Sequence, residues 1–245
     1  MTTLDFLYVA LLTTAFLLDG FVLWPSFLRR SQRAPARARL WIWSCWMSML
    51  WTLVAVGVAS WFLKNRTWEA LGLVAISGWK LWAAVGLVLA LAIAFGGSIA
   101  KLVRIDDSKR KSVRSQYGTL AVMLPHTRAE LYWFVALSLT AGFCEEFIFR
   151  GYLIWFFQPT LGLWGAAGMS VIAFAAAHAY QGMSGIVKTG ILGTLLTIVV
   201  LACGSIWPAI ALHALIDIGA GLTAWLVLCE VPTGTDTIDG LGESV

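Results

Sequence analysis

Two adjacent glutamates and an arginine, Glu145, Glu146 and Arg150, lie in a stretch that is otherwise apolar for about twenty residues. An ionised side chain at the centre of a bilayer costs about 3 kcal/mol or more, so such residues usually have a function. In a helix Glu146 and Arg150 lie on one face and can form an ion pair, because they are four residues apart. Glu145 points about 100° away. The spacing predicts one structural carboxylate bound by arginine and one carboxylate free for proton transfer.

Three more ionisable residues, His178, His213 and Asp217, lie in later apolar stretches. A lone intramembrane histidine is often a hydrogen-bonded core residue, but with Glu145 these groups are hard to accommodate unless they converge on one hydrated cavity. His213 and Asp217 are four residues apart, so they project from one helical face. A carboxylate beside a histidine can act as a general base on water, and a second histidine can stabilise an oxyanion. The pattern indicates hydrolysis of a peptide bond.

The composition places these residues in a membrane protein. Of the 245 residues, 60% are hydrophobic and 12% are charged, about half the charged fraction of a soluble domain. Apolar stretches near twenty residues predict an all-α fold, a polytopic helical membrane bundle of about seven transmembrane helices, with an eighth left open. The basic residues cluster in loops 29–39 and 101–114, which favours membrane orientation over a nucleic-acid partner. The four cysteines are Cys45, Cys144, Cys203 and Cys229. They form no CxxC pair, so neither a disulfide framework nor a zinc knuckle is indicated.

The two basic loops also predict the topology. Both should be cytoplasmic, because Lys and Arg are enriched on that side of membranes. With seven spans the N-terminus is outside and the C-terminus is cytoplasmic, and we expect the bacterial inner (plasma) membrane. We divide the chain into N-terminal transmembrane helices (1–117), a catalytic core (118–229) and a disordered tail (230–245) without an apolar face. The predicted spans are 4–28, 40–63, 71–100, 131–157, 161–180, 186–203 and a last one from 207.

Three other features have ordinary structural interpretations. Asp19 is expected near bundle-facing solvent or hydrogen-bonded to a neighbouring helix, although it could join a polar cluster. Cys144 precedes Glu145, but adjacent helical residues point about 100° apart, which disfavours a thiol nucleophile with His178 as its base. The tryptophans of the second span are interpreted as a belt at the membrane interface. They are Trp41, Trp43, Trp46, Trp51 and Trp61.

The predicted spans leave a conflict of depth between the two histidines. Counted at about 1.5 Å per residue from the span ends, His178 falls near the cytoplasmic face and His213 near the outer face. They can meet only if the sixth span is tilted or broken, or if the span boundaries differ. Glycines make the first alternative feasible at Gly182, Gly185, Gly190 and Gly193.

Three motifs, in order and on separate spans, resemble the CPBP family of intramembrane endopeptidases. This family includes the type II CAAX prenyl proteases and the Abi relatives linked to bacteriocin processing or self-immunity. The EExxxR motif is matched at 145–150, FxxxH at 174–178, and HxxxN or HxxxD at 213–217. Each motif alone is weak, whereas the ordered set is specific. The resemblance covers about residues 125–228.

The resemblance implies a role for each motif residue. Glu145 and His178 would activate the water, and His213 and Asp217 would form the oxyanion site. Asp217 stands where the prenyl-protease branch has asparagine, so it would be protonated or would orient His213. Three residues would be structural or would bind the substrate, namely Glu146, Arg150 and Phe174.

The resemblance also bears on cofactors and partners. No cofactor is expected, although a divalent metal such as zinc, held by Glu145, His178 and His213, is an alternative. The implied partners are the lipid bilayer and a membrane protein or peptide substrate; the oligomeric state is not predicted. A non-catalytic binding or bacteriocin-immunity protein on the same scaffold is one competing function. A proton-coupled transporter is another, although the internal repeats typical of transporters are not evident.

Overall fold

Helices are the only regular secondary structure in the part of the chain that the computed structural model describes. The described part comprises residues 1–229, except for the side chains of Asp107 and Thr119. The predicted disordered tail, 230–245, lies outside the described residues. The α-helices are α1 (Thr3–Leu18), α2 (Trp24–Ser31), α3 (Pro35–Leu63), α4 (Gly78–Val103), α5 (Asp107–Gln116), α6 (Arg128–Glu145), α7 (Ile154–Ala177), α8 (Gly182–Cys203) and α9 (Trp207–Leu228). Two π-helical segments continue α1 and α6, at Asp19–Leu23 and Glu146–Leu153.

Within residues 1–229, six helical segments are long and apolar enough to cross a membrane. The longest, Arg128–Ala177, has 50 residues and is interrupted at Gly162, where φ is 66° and ψ is 173°. Glycine adopts such a positive φ without steric cost, and Pro159 just before it disfavours a continuous helix. Counting the two limbs separately gives seven passes, which confirms the predicted bundle. The stretch Gly118–Met123 is a short 3-10 helix, too short for an eighth pass.

A capping box starts α6 and ties it to α3. The Thr127 side chain accepts from the Glu130 amide at 3.2 Å, and the Glu130 carboxylate accepts from the Thr127 amide at 3.1 Å. Such reciprocal bonds satisfy two amides that have no partner inside the helix. The other Glu130 oxygen accepts from Arg39 of α3 at 2.7 and 3.0 Å, with both side chains buried. The start of the double-glutamate helix is therefore held by a residue nearly a hundred positions earlier.

A second buried cluster joins α1 to the segment after α6. Asp5 receives two hydrogen bonds from Arg66, at 2.7 and 2.8 Å, and one from the Tyr152 hydroxyl at 2.9 Å. Arg66 also lies over the Trp155 ring, 4.5 Å from its centroid. Together with the Arg39–Glu130 pair, this cluster packs helices from both sides of residue 117 into one bundle.

The interpretation of the second-span tryptophans as an interfacial belt is wrong for three of them. Trp43 and Trp61 are fully buried, and Trp46 is 7% exposed. The Trp61 ring packs edge-on against Trp155, with centroids 4.7 Å apart. Helix α3 presents these rings to other helices, because large aromatic side chains fill the space between helices as readily as they occupy an interface.

Candidate active site

The double glutamate lies where α6 changes from an α-helix to a π-helix. Helix α6 ends at Glu145, and the π-helical segment Glu146–Leu153 follows without a break. All eight residues of that segment are buried. Isolated π-helical turns occur frequently at functional sites, because the wider turn re-aims side chains relative to a regular helix.

Arg150 and Glu146 form the predicted ion pair in the core of the bundle. Nη1 of Arg150 donates to Oε1 of Glu146 at 2.7 Å, and both side chains are 0% exposed. Nη2 of Arg150 donates to the Gly193 carbonyl at 3.0 Å, and its guanidinium lies over the Phe174 ring, 4.3 Å from the centroid. A buried ion pair is stable only when further hydrogen bonds satisfy its remaining polar groups. Helices α7 and α8 supply such contacts to Arg150, whereas Oε2 of Glu146 makes no hydrogen bond within residues 1–229.

Glu146 also binds His213, a contact that the sequence did not predict. Its Oε1 atom accepts from Nδ1 of His213 at 2.8 Å, and His213 is 3% exposed. With Nδ1 engaged in this way, Nε2 of His213 points to the other side of the ring. Glu146 therefore orients His213, a role that had been considered for Asp217.

Glu145 lies between the two histidines. Its Oε2 atom is 3.9 Å from Nε2 of His178 and 3.9 Å from Nε2 of His213. Nδ1 of His178 donates to the Phe174 carbonyl at 2.8 Å, which leaves Nε2 to face Glu145. Oε2 of Glu145 is buried and makes no hydrogen bond within residues 1–229. Both separations exceed a direct hydrogen bond and suit an intervening water.

Asp217 completes the group on the open side of His213. Its Oδ2 atom is 3.7 Å from Nε2 of His213, and its side chain is 33% exposed. The sequence prediction that these two residues share a helical face therefore holds. The structure brings Glu145, His178, His213 and Asp217 together around one cavity, and Phe174 lines it as well.

A glycine allows α6 and α9 to approach closely enough for these contacts. A Cβ atom on Gly142 would lie 2.9 Å from Cβ of Ala214 and 3.1 Å from the carbonyl oxygen of Ile210. Real Cβ contacts are not that short, so any larger residue would push the two helices apart. Gly142 is three positions before Glu145, and Ala214 directly follows His213.

The depth conflict between the histidines is resolved by different span boundaries. The limb of α7 after Gly162 ends at Ala177, so it is about 22 Å long at 1.5 Å per residue. His178 directly follows this limb, and its Nε2 atom lies as close to Oε2 of Glu145, 3.9 Å, as Nε2 of His213 does. Helix α8 is continuous from Gly182, four residues earlier than predicted. The predicted alternative of a broken sixth span is wrong.

The cavity has a volume of about 670 Å³ and extends well beyond the four ionisable residues. Its other walls include Asp19 of the first span, Trp46 of α3, and six residues from the end of α5 to the end of the 3-10 helix, namely Val113, Gln116, Tyr117, Leu120, Met123 and Leu124. Cys144 is fully buried in a core cluster with Tyr8 and Phe147 and does not line the cavity, which argues against a thiol nucleophile. Neither Glu146 nor Arg150 lines it, which favours structural roles for both.

The residues proposed as an alternative zinc site do not fit that metal as they are placed. Ligands about 2.0–2.2 Å from a tetrahedral zinc ion lie about 3.3–3.5 Å from one another. Oε2 of Glu145 is 3.9 Å from each histidine Nε2 atom, and no group of His, Cys, Asp and Glu in residues 1–229 has the arrangement of a metal site. Binding of zinc would therefore require these three side chains to move closer together.

The arrangement defines a class of protein: a helical membrane bundle that encloses carboxylates and histidines suited to hydrolysis. Residues 127–219 match the family model described as "Type II CAAX prenyl endopeptidase Rce1-like". The match spans all three motifs and 93 of the 245 residues, and it supports the predicted resemblance of this segment to CAAX-type proteases. No curated protein and no solved structure matches the chain.

Two features of the site were beyond the reach of the sequence. Glu146 and His213 are 67 residues apart, so nothing in a local spacing indicates their hydrogen bond. The π-helical segment has no signal in the sequence pattern either. The expectation that Asp19 is hydrogen-bonded to a neighbouring helix is confirmed, because Nε1 of Trp46 donates to its Oδ1 atom at 2.7 Å, and Asp19 also lines the cavity.

Proposed function

We propose that this protein is an intramembrane endopeptidase that hydrolyses a peptide bond in a membrane-associated protein or peptide. One observation carries the proposal: Oε2 of Glu145 is equally far, 3.9 Å, from Nε2 of His178 and Nε2 of His213. A water beside Glu145 and His178, with the substrate carbonyl on the His213 side, matches the requirements of acyl hydrolysis. The family match over residues 127–219 supports the same reaction class.

Glu145 and His178 activate the water in this mechanism. Because Nδ1 of His178 donates to the Phe174 carbonyl, Nε2 carries a lone pair and accepts a hydrogen bond from one O–H of the water, while the other O–H donates to Glu145. Held by both, the water directs a lone pair at the carbonyl carbon, and Glu145 takes its proton as the C–O bond forms. Glu145 then passes that proton to the amide nitrogen, and the C–N bond breaks.

His213 stabilises the oxyanion. The Glu146 carboxylate accepts from Nδ1, so an oxyanion on the opposite side of the ring receives a hydrogen bond when Nε2 also carries a proton. Asp217 lies 3.7 Å from that Nε2 atom. In its ionised form it would repel the oxyanion, so we assign it to the protonated form, which donates a second hydrogen bond.

The location of the reaction follows from the cavity walls. Val113, at the end of the second basic loop, and five residues after it form part of the lining, and we place that loop in the cytoplasm on the basis of its positive charge. The substrate would therefore be cut towards the cytoplasmic side of a bacterial plasma membrane. No metal ion takes part in this mechanism.

Terminal-peptide mass spectrometry of membranes is the decisive experiment. Cells would carry the wild-type protein, Glu145→Gln or Glu69→Gln, an exposed carboxylate outside the cavity that serves as the matched control. We expect new peptide termini with the wild type and Glu69→Gln and none with Glu145→Gln, at equal amounts of folded protein.

Three outcomes would contradict the proposal. Termini that persist in Glu145→Gln would refute the general base. No termini in any strain, together with a phenotype that Glu145→Gln retains, would favour a binding or immunity protein. Loss of proton-linked flux in Glu145→Gln would instead indicate a transporter.

A further inference from the structure

Asp19 is a buried carboxylate in a part of the first span whose neighbours face outwards. Its exposure is 5%, whereas Leu18 before it is 52% exposed and Phe21 after it is 79% exposed. Asp19 also begins the π-helical segment Asp19–Leu23. An ionised carboxylate inside a membrane bundle raises the free energy of the protein unless it has a partner, so we expect Asp19 to bind a protein group or a ligand.

The protein supplies only part of the polar contacts of Asp19. Nε1 of Trp46 donates to Oδ1 at 2.7 Å, and Oδ2 accepts no hydrogen bond in residues 1–229. Asp19 forms no ion pair there either. Lys188 lines the same cavity, but its side chain is exposed and does not pair with Asp19. Asp19 thus contributes a carboxylate without a cation to the wall that also contains Glu145 and His178.

Aromatic rings connect Asp19 to the catalytic histidine. Tyr180 lies 5.6 Å from Trp46 and 6.0 Å from His178 between ring centroids, and Trp24 packs against it at 4.9 Å. Trp46 and Tyr180 line the cavity. Ring faces attract cations, and the aliphatic stem of lysine or arginine packs well against such a wall.

We propose that Asp19, Trp46 and Tyr180 form a subsite that binds a lysine or arginine side chain of the substrate near the bond that is cut. The inference rests on the proposed endopeptidase function and names its substrate class. A cation offsets the free-energy cost of the buried carboxylate. A further neutral donor beside the Trp46 indole would not supply the opposite charge. Lysine and arginine are abundant next to membrane spans on the cytoplasmic side, where the proposed cavity mouth lies.

Two of the three subsite residues lie outside the segment that matches the family model, and Tyr180 lies within it. Asp19 and Trp46 precede residue 127, whereas the four proposed catalytic residues lie within 127–219. The N-terminal helices of this chain would therefore select the substrate, and the matched segment would perform the hydrolysis.

The test compares cleavage sites in membranes from cells carrying the wild type, Asp19→Asn, Trp46→Phe, Glu69→Gln and Glu145→Gln. Asp19→Asn keeps an oxygen for Trp46 and removes the charge, and Trp46→Phe keeps a ring and removes the donor. We expect a basic residue at one fixed position beside the wild-type sites. Asp19→Asn should reduce cleavage of those sites by roughly thirtyfold, as expected when one partner of a buried charge pair is lost. Glu69→Gln should leave them unchanged.

Each result decides between the two proposals. Wild-type termini without a basic residue at a fixed position, or termini equally abundant in Asp19→Asn, would refute the subsite and leave the endopeptidase standing. A loss in Asp19→Asn that is equal at sites with and without the basic residue would mean that Asp19 does not recognise that side chain, which also overturns the subsite. No difference between the wild type and Glu145→Gln would refute both. If Asp19→Asn does not accumulate, a selective loss at basic sites in Trp46→Phe supports the subsite, and an unselective one refutes it.

Discussion

Oε1 of Glu146 lies 2.8 Å from Nδ1 of His213 and 2.7 Å from Nη1 of Arg150, so one buried oxygen accepts from both residues. The arginine neutralises the carboxylate, and the carboxylate fixes the ring of the histidine. Glu146 is therefore a positioning residue: it does not line the cavity, yet it determines which ring nitrogen faces Glu145.

Glu146→Gln tests this positioning. The amide keeps the size of the side chain but removes the charge that holds both Arg150 and His213. Loss of such an outer partner typically costs about 10–100-fold in activity. We expect that loss in kcat on a peptide containing a mapped cleavage site, with KM changed less than threefold and an altered pH profile. A purely structural role would instead lower the amount of folded enzyme and leave the pH profile unchanged.

Gly142→Ala tests the close approach of α6 and α9. The added Cβ would lie 2.9 Å from Cβ of Ala214, so the helices must separate, at a cost of about 1–3 kcal/mol. We expect a lower midpoint of thermal unfolding and a greater loss of activity than this cost alone would cause, because Glu145 and His213 move apart. Gly168→Ala is the matched control, since nothing lies within 4 Å of its added Cβ. Equal behaviour of the two variants would contradict the tight packing.

Removal of metal ions tests the proposed chemistry of the water. Because Glu145 and the two histidines are too far apart for a tetrahedral zinc site, we expect activity within twofold of the starting value after dialysis against a zinc chelator. Elemental analysis of the purified protein should find no stoichiometric zinc. Activity lost on dialysis and restored by added zinc would show that the residues rearrange around a metal.

Asp106 should make the start of α5 sensitive to acid. The Lys109 amide donates to its carboxylate at 2.8 Å, and this hydrogen bond lowers the pKa of Asp106 below its usual value. A lowered pKa in the folded state means that the stabilisation is present above the usual value of about 3.9 and is lost as the pH falls through the folded value. We expect protection of the Lys109 amide from hydrogen exchange to decrease over that window. Asp106→Asn should retain a cap without this pH dependence.

Contacts between residues close in the sequence could be predicted, whereas contacts between residues far apart in the sequence could not. The Glu146–Arg150 pair and the proximity of His213 to Asp217 were predictable, because both depend on the four-residue spacing of a single helix. The bond between Glu146 and His213 was not, because it joins helices far apart in the chain. Trp43 and Trp61 were assigned to the interface because composition cannot tell whether an aromatic ring faces lipid or another helix, and both are buried.

In the π-helical segment Glu146–Leu153, the number of residues matters more for the site than the overall amino-acid composition does. A π-helical turn contains about one residue more than an α-helical turn, so deleting a single residue there could restore a regular helix with no loss of hydrogen bonds. The deletion would nevertheless change the rotation of the helix before it relative to the helix after it, because an α-helix and a π-helix turn through different angles per residue. A helix with nearly the same composition would then lose its register with α8 and α9. Insertions and deletions between Glu145 and Gly162 should therefore be tolerated less well than most single substitutions.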